Sequence, residues 1–151
     1  MYYAFIQNSK INGCGECPRV NADVQNVEVT EEIFQNIDRY VWDGEEIIPD
    51  PDYEEKQAQK ERERIGNLQV TKRVFMLGLE QFGVTYTQLK ALLATNERAQ
   101  MEWDLCMELQ RNNPLFDQLA AQFGLSSEIL DYIFRKANSE DVPLPVQEEE
   151  E

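Results

Sequence analysis

A polar stretch of fifteen residues separates two parts of the chain that have different hydrophobic patterns. Residues 52–66, DYEEKQAQKERERIG, contain only three apolar side chains. A helix that is polar all round typically bridges two packed parts. Before it, in residues 1–51, short apolar runs are separated by turn residues; after it, apolar residues recur at helical spacing. The sequence therefore predicts an α+β fold with a polar spacer helix over residues 52–67. A coiled coil is the alternative for this helix, but the sequence lacks apolar heptads.

The first part predicts a small β-rich module of order β-β-α-β-β. The run at 2–6 is rich in β-forming residues, the Asn and Gly residues at 12–15 predict a turn, and 24–29 predicts the second strand. Thr30 can cap a short helix, because its hydroxyl can accept from a free backbone N–H of the first turn. The Asp-Gly pair at 43–44 lies between two apolar runs, which is a strong hairpin signal.

The second part, residues 68–138, predicts a bundle of four to five helices. The first helix is predicted from Val70 to Phe82. A later helix is predicted from an Asn96 cap through Arg111, with apolar side chains on more than one face. Further helices are predicted to begin at residues that can act as N-caps, namely Thr85 or Thr87, Asn113 before Pro114, and Ser126.

A five-residue pattern occurs twice in this bundle. The segment QFGVT at 81–85 returns as QFGLS at 122–126. In both copies a Gly can end a helix in the left-handed conformation, an apolar residue follows, and a hydroxyl residue can cap the next helix. The repeat predicts two similar helical hairpins. The second copy superficially resembles a helix-turn-helix, but Glu128 and Asp131 would face the DNA, so we expect a structural hairpin.

The chain is strongly acidic, and the acidity is unevenly distributed. It has 14 Lys and Arg, 29 Asp and Glu and no His, for a formal net charge of −15. Residues 67–139 are nearly neutral, with seven basic and eight acidic side chains. Because phosphate binding requires Lys and Arg, we expect no direct binding to nucleic acid or to a membrane surface. The tail, residues 139–151, contains two Pro and ends in four Glu, which predicts a disordered acidic segment.

The sequence contains no recognisable catalytic motif. Without His it lacks the most common general acid–base residue and the nitrogen ligand of zinc. Cys14-Gly15-Glu16-Cys17 is a C-x-x-C pattern, but the only other Cys is Cys106, so one chain offers an incomplete zinc site. A metal shared between chains is the alternative. We therefore expect no enzyme activity, no cofactor and no metal site in a single chain.

Compartment signals are few. Three Cys cannot all pair within one chain, so a reducing cytosol is the simplest compartment. No apolar run approaches the roughly 20 residues that a membrane span needs, and the first residues lack the pattern of a targeting signal.

Four stretches of the first part resemble tail-fibre assembly proteins of phages and prophages. They are YYAFI at 2–6, NG at 12–13, VEVTEEIFQNI at 27–37 and WDGEEI at 42–47. In that family a short β module with a V-[ST]-E-E helix start leads, through an acidic Pro-containing stretch, into a charged helix. The resemblance covers residues 1–65, and the later helical block departs from the family pattern. It implies a small, non-catalytic tail-associated protein whose partner is a phage tail fibre or baseplate protein. The implied location is the host cytoplasm during assembly, or the virion tail.

Three aromatic residues of the first part are the predicted partner contacts, Tyr2, Tyr40 and Trp42, because Tyr and Trp are enriched at the centres of protein interfaces. The alternative is that they form the core of the small module.

The alternative function is an acidic phage-encoded inhibitor that imitates DNA and binds a host DNA-binding defence protein. Such a mimic would array carboxylates along one face, whereas the acids here concentrate in two places. The sequence leaves the oligomeric state open.

Overall fold

The computed structural model describes residues 1–146 and confirms the α+β class. The chain forms two compact units, Met1–Ala58 and a second one from Gln59 onward. The boundary falls inside the polar helix Tyr53–Gly66, in which no residue is buried. No helix in the described part of the chain is long and apolar enough to cross a membrane.

The first unit contains a three-stranded antiparallel sheet and a separate hairpin. The sheet has the order β2-β1-β3, with β1 at Tyr2–Gln7, β2 at Lys10–Gly15 and β3 at Gln25–Val29. Next come helix α1 at Glu31–Gln35, a 3-10 turn at Ile37–Arg39, and the hairpin strands β4 at Tyr40–Trp42 and β5 at Ile47–Pro49.

Two short-range predictions for this unit, the helix cap and the Asp-Gly turn, are confirmed. The hydroxyl of Thr30 caps α1 by accepting from the N–H of Ile33 at 3.3 Å. The predicted hairpin turn is stabilised by Asp43, whose carboxylate accepts from the N–H groups of Glu46 and Glu45, both at 2.8 Å. These two backbone donors lower the pKa of Asp43.

The predicted turn at residues 12–15 is wrong, because those residues belong to β2. The chain turns earlier, at Asn8 and Ser9, whose φ angles are 52° and 59°. A two-residue loop with both φ angles positive matches the twist of an antiparallel hairpin, and Asn tolerates this conformation better than most residues. Gly13, with φ 122°, lies where the pairing of β1 with β2 shifts, as expected of a bulge. The module therefore has one strand more than the predicted β-β-α-β-β order.

Up to residue 146, the second unit contains five helices and a two-stranded ribbon beyond the polar helix. In chain order the elements are α2 at Tyr53–Gly66, β6 at Gln69–Thr71, α3 at Lys72–Glu80, α4 at Tyr86–Leu93, α5 at Glu97–Leu105, β7 at Glu108–Gln110, α6 at Pro114–Gln122 and α7 at Ser127–Ala137.

Two of the predicted helices included residues that form the ribbon instead. Helix α3 begins later than predicted because Val70 lies in β6, and α5 ends at Leu105, well before the predicted end at Arg111, because β7 follows. Val70 is paired directly with Leu109, and both side chains are buried in the core. Burial of this cross-strand pair favours the ribbon over continued helix. Strands of three residues are too short to produce a recognisable alternation in the sequence.

The repeated pattern forms the same helix end twice, as predicted. Gly83 and Gly124 have φ angles of 82° and 69°. In each copy the apolar residue after the Gly donates its N–H to a carbonyl in the last helical turn, at 3.2 Å for Val84 and 2.9 Å for Leu125. This is the Schellman arrangement, and the next residue caps the following helix. The same helix-to-helix connection therefore joins α3 to α4 and α6 to α7, while the predicted packing of each pair as a hairpin holds for α6 and α7.

We expect the two caps to contribute equally to stability. Thr85→Ala and Ser126→Ala should each lower the free energy of unfolding by about 1 kcal/mol, since each leaves one N–H of a first helical turn without its acceptor. The measurement is urea unfolding followed by circular dichroism, with the exposed Thr87→Ala as the control. A loss for Thr87→Ala as large as that for Thr85→Ala would contradict the assignment of Thr85 as the cap.

The first residues of the tail pack against the second unit, in contrast to the disorder predicted for residues 139–151. Glu140 lies between two guanidinium groups and accepts from Arg64 at 2.6 Å and from Arg135 at 2.7 Å. Val142 is buried. The prediction of disorder rested on the Pro residues and the Glu run. It did not include the contact of the Glu140 carboxylate with two Arg side chains. The four final Glu residues lie outside the described residues.

This ion cluster predicts a stability contribution that depends on pH. The hydrogen bond from Arg64, and then that from Arg135, lower the pKa of Glu140 from its ordinary value of 4.5 to about 2. A carboxyl group whose pKa is lowered by folding stabilises the fold fully above its unfolded-state pKa. This stabilisation is lost as the pH falls toward the folded-state pKa. We expect wild type to exceed Glu140→Gln in urea midpoint at pH 7, and this difference to vanish between about pH 5 and pH 2. Asp141→Asn is the control, and a difference that stays constant with pH would contradict the prediction.

Candidate functional site

The three predicted contact residues lie in the first unit and are half-buried rather than exposed. Tyr2 stacks on Phe34 of α1, with ring centroids 4.6 Å apart. Tyr40 and Trp42 lie in β4, opposite Pro49 and Ile47 of β5. Part of each side chain remains accessible, which is compatible with contact to a partner protein as well as with packing inside the first unit.

Tyr40→Ala separates these two roles. If Tyr40 is a contact residue, we expect binding of the partner protein to weaken while the urea midpoint stays unchanged. If Tyr40 mainly packs within the module, the free energy of unfolding should fall by about 1–2 kcal/mol, as for a half-buried aromatic residue, and the urea midpoint should fall with it. Urea unfolding and partner titration of the same protein preparation give both values.

Among the described residues, the structure brings no further metal ligand to the C-x-x-C pair. Cys14 is half-buried in β2, and its thiol donates to the carbonyl of Phe34 at 3.8 Å, whereas Cys17 is exposed. Cys106 lies in the second unit. Among residues 1–146 no group of three or more His, Cys, Asp or Glu side chains is placed to hold a metal ion.

The second unit carries an open groove of about 640 Å³ beside the end of α5. Its floor is the edge of the hydrophobic core, and its walls are apolar side chains that remain accessible. Met101 is 52% exposed and Leu105 is 76% exposed. The apolar lining residues are Met101, Trp103, Leu105, Cys106, Leu109, Leu115 and Phe116. Accessible Met side chains are typical of surfaces that adapt to a protein partner.

All three residues of β7 line the groove: Glu108, Leu109 and Gln110. The N–H of Arg111 donates to the carbonyl of Leu68 at 3.0 Å, which makes Val70 and Leu109 the hydrogen-bonded pair of the ribbon. The backbone groups of Glu108 and Gln110 therefore point away from β6. The carbonyl of Gln110 accepts from Asn113, but Glu108 makes no hydrogen bond beyond the ribbon within residues 1–146. An accessible strand edge of this kind can pair with another strand.

The opposite edge of the ribbon is covered. The carbonyl of Gln69 in β6, which points away from β7, accepts from the side-chain amide of Asn138 at 3.1 Å. Asn138 follows α7 directly and also donates to the carbonyl of Phe134 at 2.8 Å. The ribbon is thus closed on the β6 side and open on the β7 side.

The lining of the groove is acidic. Glu102 and Glu108 are its two charged residues among those the structure describes, and neither Lys nor Arg lines it. Glu102 accepts from Asn113 at 3.2 Å and from Arg98 at 3.2 Å, and these two hydrogen bonds lower its pKa. Because Arg98 pairs with Glu102, the exposed Glu108 supplies most of the negative charge that the apolar groove presents at neutral pH.

Arg111 fixes the position of the exposed strand. It follows β7 directly and is only 5% exposed. Its guanidinium donates to Asp131 at 2.6 Å and to Asp117 at 3.1 Å. It also donates to the hydroxyl of Ser127 at 2.6 Å and to the carbonyl of that residue at 3.1 Å. These charge-assisted bonds hold the end of β7 against α6 and α7.

Sequence reasoning missed both the groove and Arg111. The signal for the groove was present, because the segment from Asn96 to Arg111 has apolar residues on more than one face, and a helix on the outside of a bundle can bury only one. No comparable signal marks Arg111, since a buried Arg and an exposed one look alike in a single sequence.

Comparisons with known proteins give no relative: no protein-family model, curated protein or solved structure matches the chain. The groove, the open edge of β7 and the acidic lining are therefore the features from which a function can be inferred.

Proposed function

We propose that this is a non-enzymatic phage tail-associated or tail-fibre assembly protein that acts by protein–protein contacts. The groove carries the proposal, because an accessible apolar surface beside an open strand edge is suited to binding another protein. The resemblance of residues 1–65 to tail-fibre assembly proteins supports the class. The partner is then a phage tail fibre or baseplate protein, met in the host cytoplasm during assembly or in the virion tail.

Affinity capture from phage-infected cells tests this function. The tagged full-length chain is used as bait, and the capture is repeated at low and at high salt. We expect a fibre or baseplate protein that is retained at high salt, because contacts between apolar surfaces are little screened. If neither a tail fibre protein nor a baseplate protein is recovered at low or at high salt, the proposal is contradicted.

A DNA-imitating inhibitor is the second candidate, favoured by the net charge of −15. Helix α2, however, interleaves four basic with four acidic side chains and so presents no continuous acidic face. The same capture decides between the two functions. A host nuclease or another DNA-binding protein that is released at high salt would favour the inhibitor, because attraction between exposed charges weakens with ionic strength.

A further inference from the structure

We propose that the groove binds an extended, apolar segment of the partner protein with Lys or Arg at its flanks, which pairs with β7 as a third strand of the ribbon. This inference rests on the proposed protein-contact function and deepens it, since it names the kind of segment that the groove accepts and how it is held.

The open edge of β7 supplies the main-chain part of this recognition. Glu108 offers one N–H and one carbonyl, and Gln110 offers a further N–H, all directed away from β6. A residue placed opposite Glu108 would exchange two hydrogen bonds with it, and a residue two positions further along would accept the third. The paired part of the segment is therefore short, about three to five residues.

The walls of the groove supply the side-chain part. Because side chains alternate across a strand, an added strand directs every second residue to the side on which Leu109 is buried. Those residues would lie over the apolar floor and against Met101 and Leu105 of α5. The segment should therefore carry apolar, preferably β-branched residues at alternate positions.

Charge determines the flanks of the segment and argues against a second copy of this chain. Glu108 lines the groove without an ion-pair partner among the described residues, whereas Glu102 is paired with Arg98. Antiparallel pairing of two β7 strands would bring Glu108 of both copies to one small interface, on chains that each carry a net charge of −15. Like charges at an interface are unfavourable, whereas Lys or Arg flanks would be attracted.

A displayed library of random nine-residue peptides tests the proposal on the full chain. Peptides are selected on wild type and counter-selected on Leu105→Ser, which removes an exposed apolar wall without touching the core. The matched control is Leu77→Ser on α3, since Leu77 is 52% exposed and lies outside the groove lining. We expect enriched peptides with alternating apolar residues and basic flanks that bind Leu77→Ser like wild type and bind Leu105→Ser at least tenfold more weakly.

Two further variants test the strand edge and the charge. Glu108→Pro removes an N–H that the ribbon does not use, so the urea midpoint should hold while the enriched peptides lose at least tenfold in affinity. Glu108→Lys should disfavour the basic flanks, and Glu80→Lys is its control on an exposed site away from the groove. In amide hydrogen exchange the bound peptide should slow the amides of Glu108 and Gln110.

Several outcomes would overturn the inference. One is that no peptide binds wild type better than it binds Leu105→Ser. Another is that the enriched peptides are acidic. The third is that a bound peptide leaves the amide exchange of Glu108 and Gln110 unchanged. If a tail protein is captured from infected cells but no library peptide is enriched, the proposed function stands and the groove inference fails. If peptides bind as expected but no tail protein is captured, the groove inference stands and the tail function fails.

Discussion

Arg111→Met is expected to lower the free energy of unfolding by about 3 kcal/mol, because it removes one partner from a buried ion network. The guanidinium is 5% exposed and bonds to Asp131, Asp117 and Ser127. Met matches Arg in length but donates no hydrogen bond, so two carboxylates would be left beside an apolar side chain. Their side chains, 37% and 45% exposed, can recover part of their hydration, which keeps the loss below that of a fully buried pair.

Arg98→Met is the matched control for this change. Arg98 also pairs with a carboxylate, Glu102 at 3.2 Å, but its side chain is 84% exposed. An exposed ion pair contributes little, so we expect a change within about 0.5 kcal/mol. Urea unfolding at constant pH and salt measures both variants. Equal effects of Arg111→Met and Arg98→Met would show that the Arg111 network does not support the second unit.

Gly78→Ala is expected to destabilise the protein by about 2 kcal/mol, although Ala is the better helix former. Gly78 lies in α3 at its close approach to α7, and a Cβ there would come within 2.5 Å of Cγ2 of Ile133 and 3.1 Å of Cγ1. Ile133 is buried and branched at Cβ, so it has few other rotamers to adopt. The cost of overpacking therefore exceeds the gain in helix propensity.

A double-mutant cycle identifies the cause of this loss. Ile133→Ala removes the two atoms that the new Cβ would meet first. In that background Gly78→Ala should no longer destabilise and should recover up to about 1 kcal/mol of helix propensity. A Gly78→Ala variant that is as stable as wild type, or that is equally destabilising in both backgrounds, would contradict the close packing of α3 on α7.

The parts of the fold that depend on local chemistry could be predicted from the sequence. The caps at Thr30 and Ser126, the turn at Asp43 and the left-handed Gly83 and Gly124 all follow from what a side chain or a missing Cβ does to its neighbours along the chain. The tertiary structure adds little to these choices, so the same residues give the same local shape twice in the repeated pattern.

The parts that depend on residues distant in sequence could not be predicted. Val70 belongs to a strand only because Leu109 pairs with it. The packed Glu140 likewise depends on Arg64, far away along the chain. The groove also depends on residues distant in sequence. The helices that pack on one face of α5 determine which face stays uncovered.

The most direct measurement is capture from phage-infected cells with wild type, Leu105→Ser and Leu77→Ser as parallel baits at high salt. If the protein acts through the groove on α5 and β7, wild type and Leu77→Ser should retain the same tail fibre or baseplate protein, and Leu105→Ser should lose most of it while unfolding at the same urea concentration. Equal retention by all three baits would contradict a role for the groove, and retention of a host DNA-binding protein instead would contradict the tail-associated function.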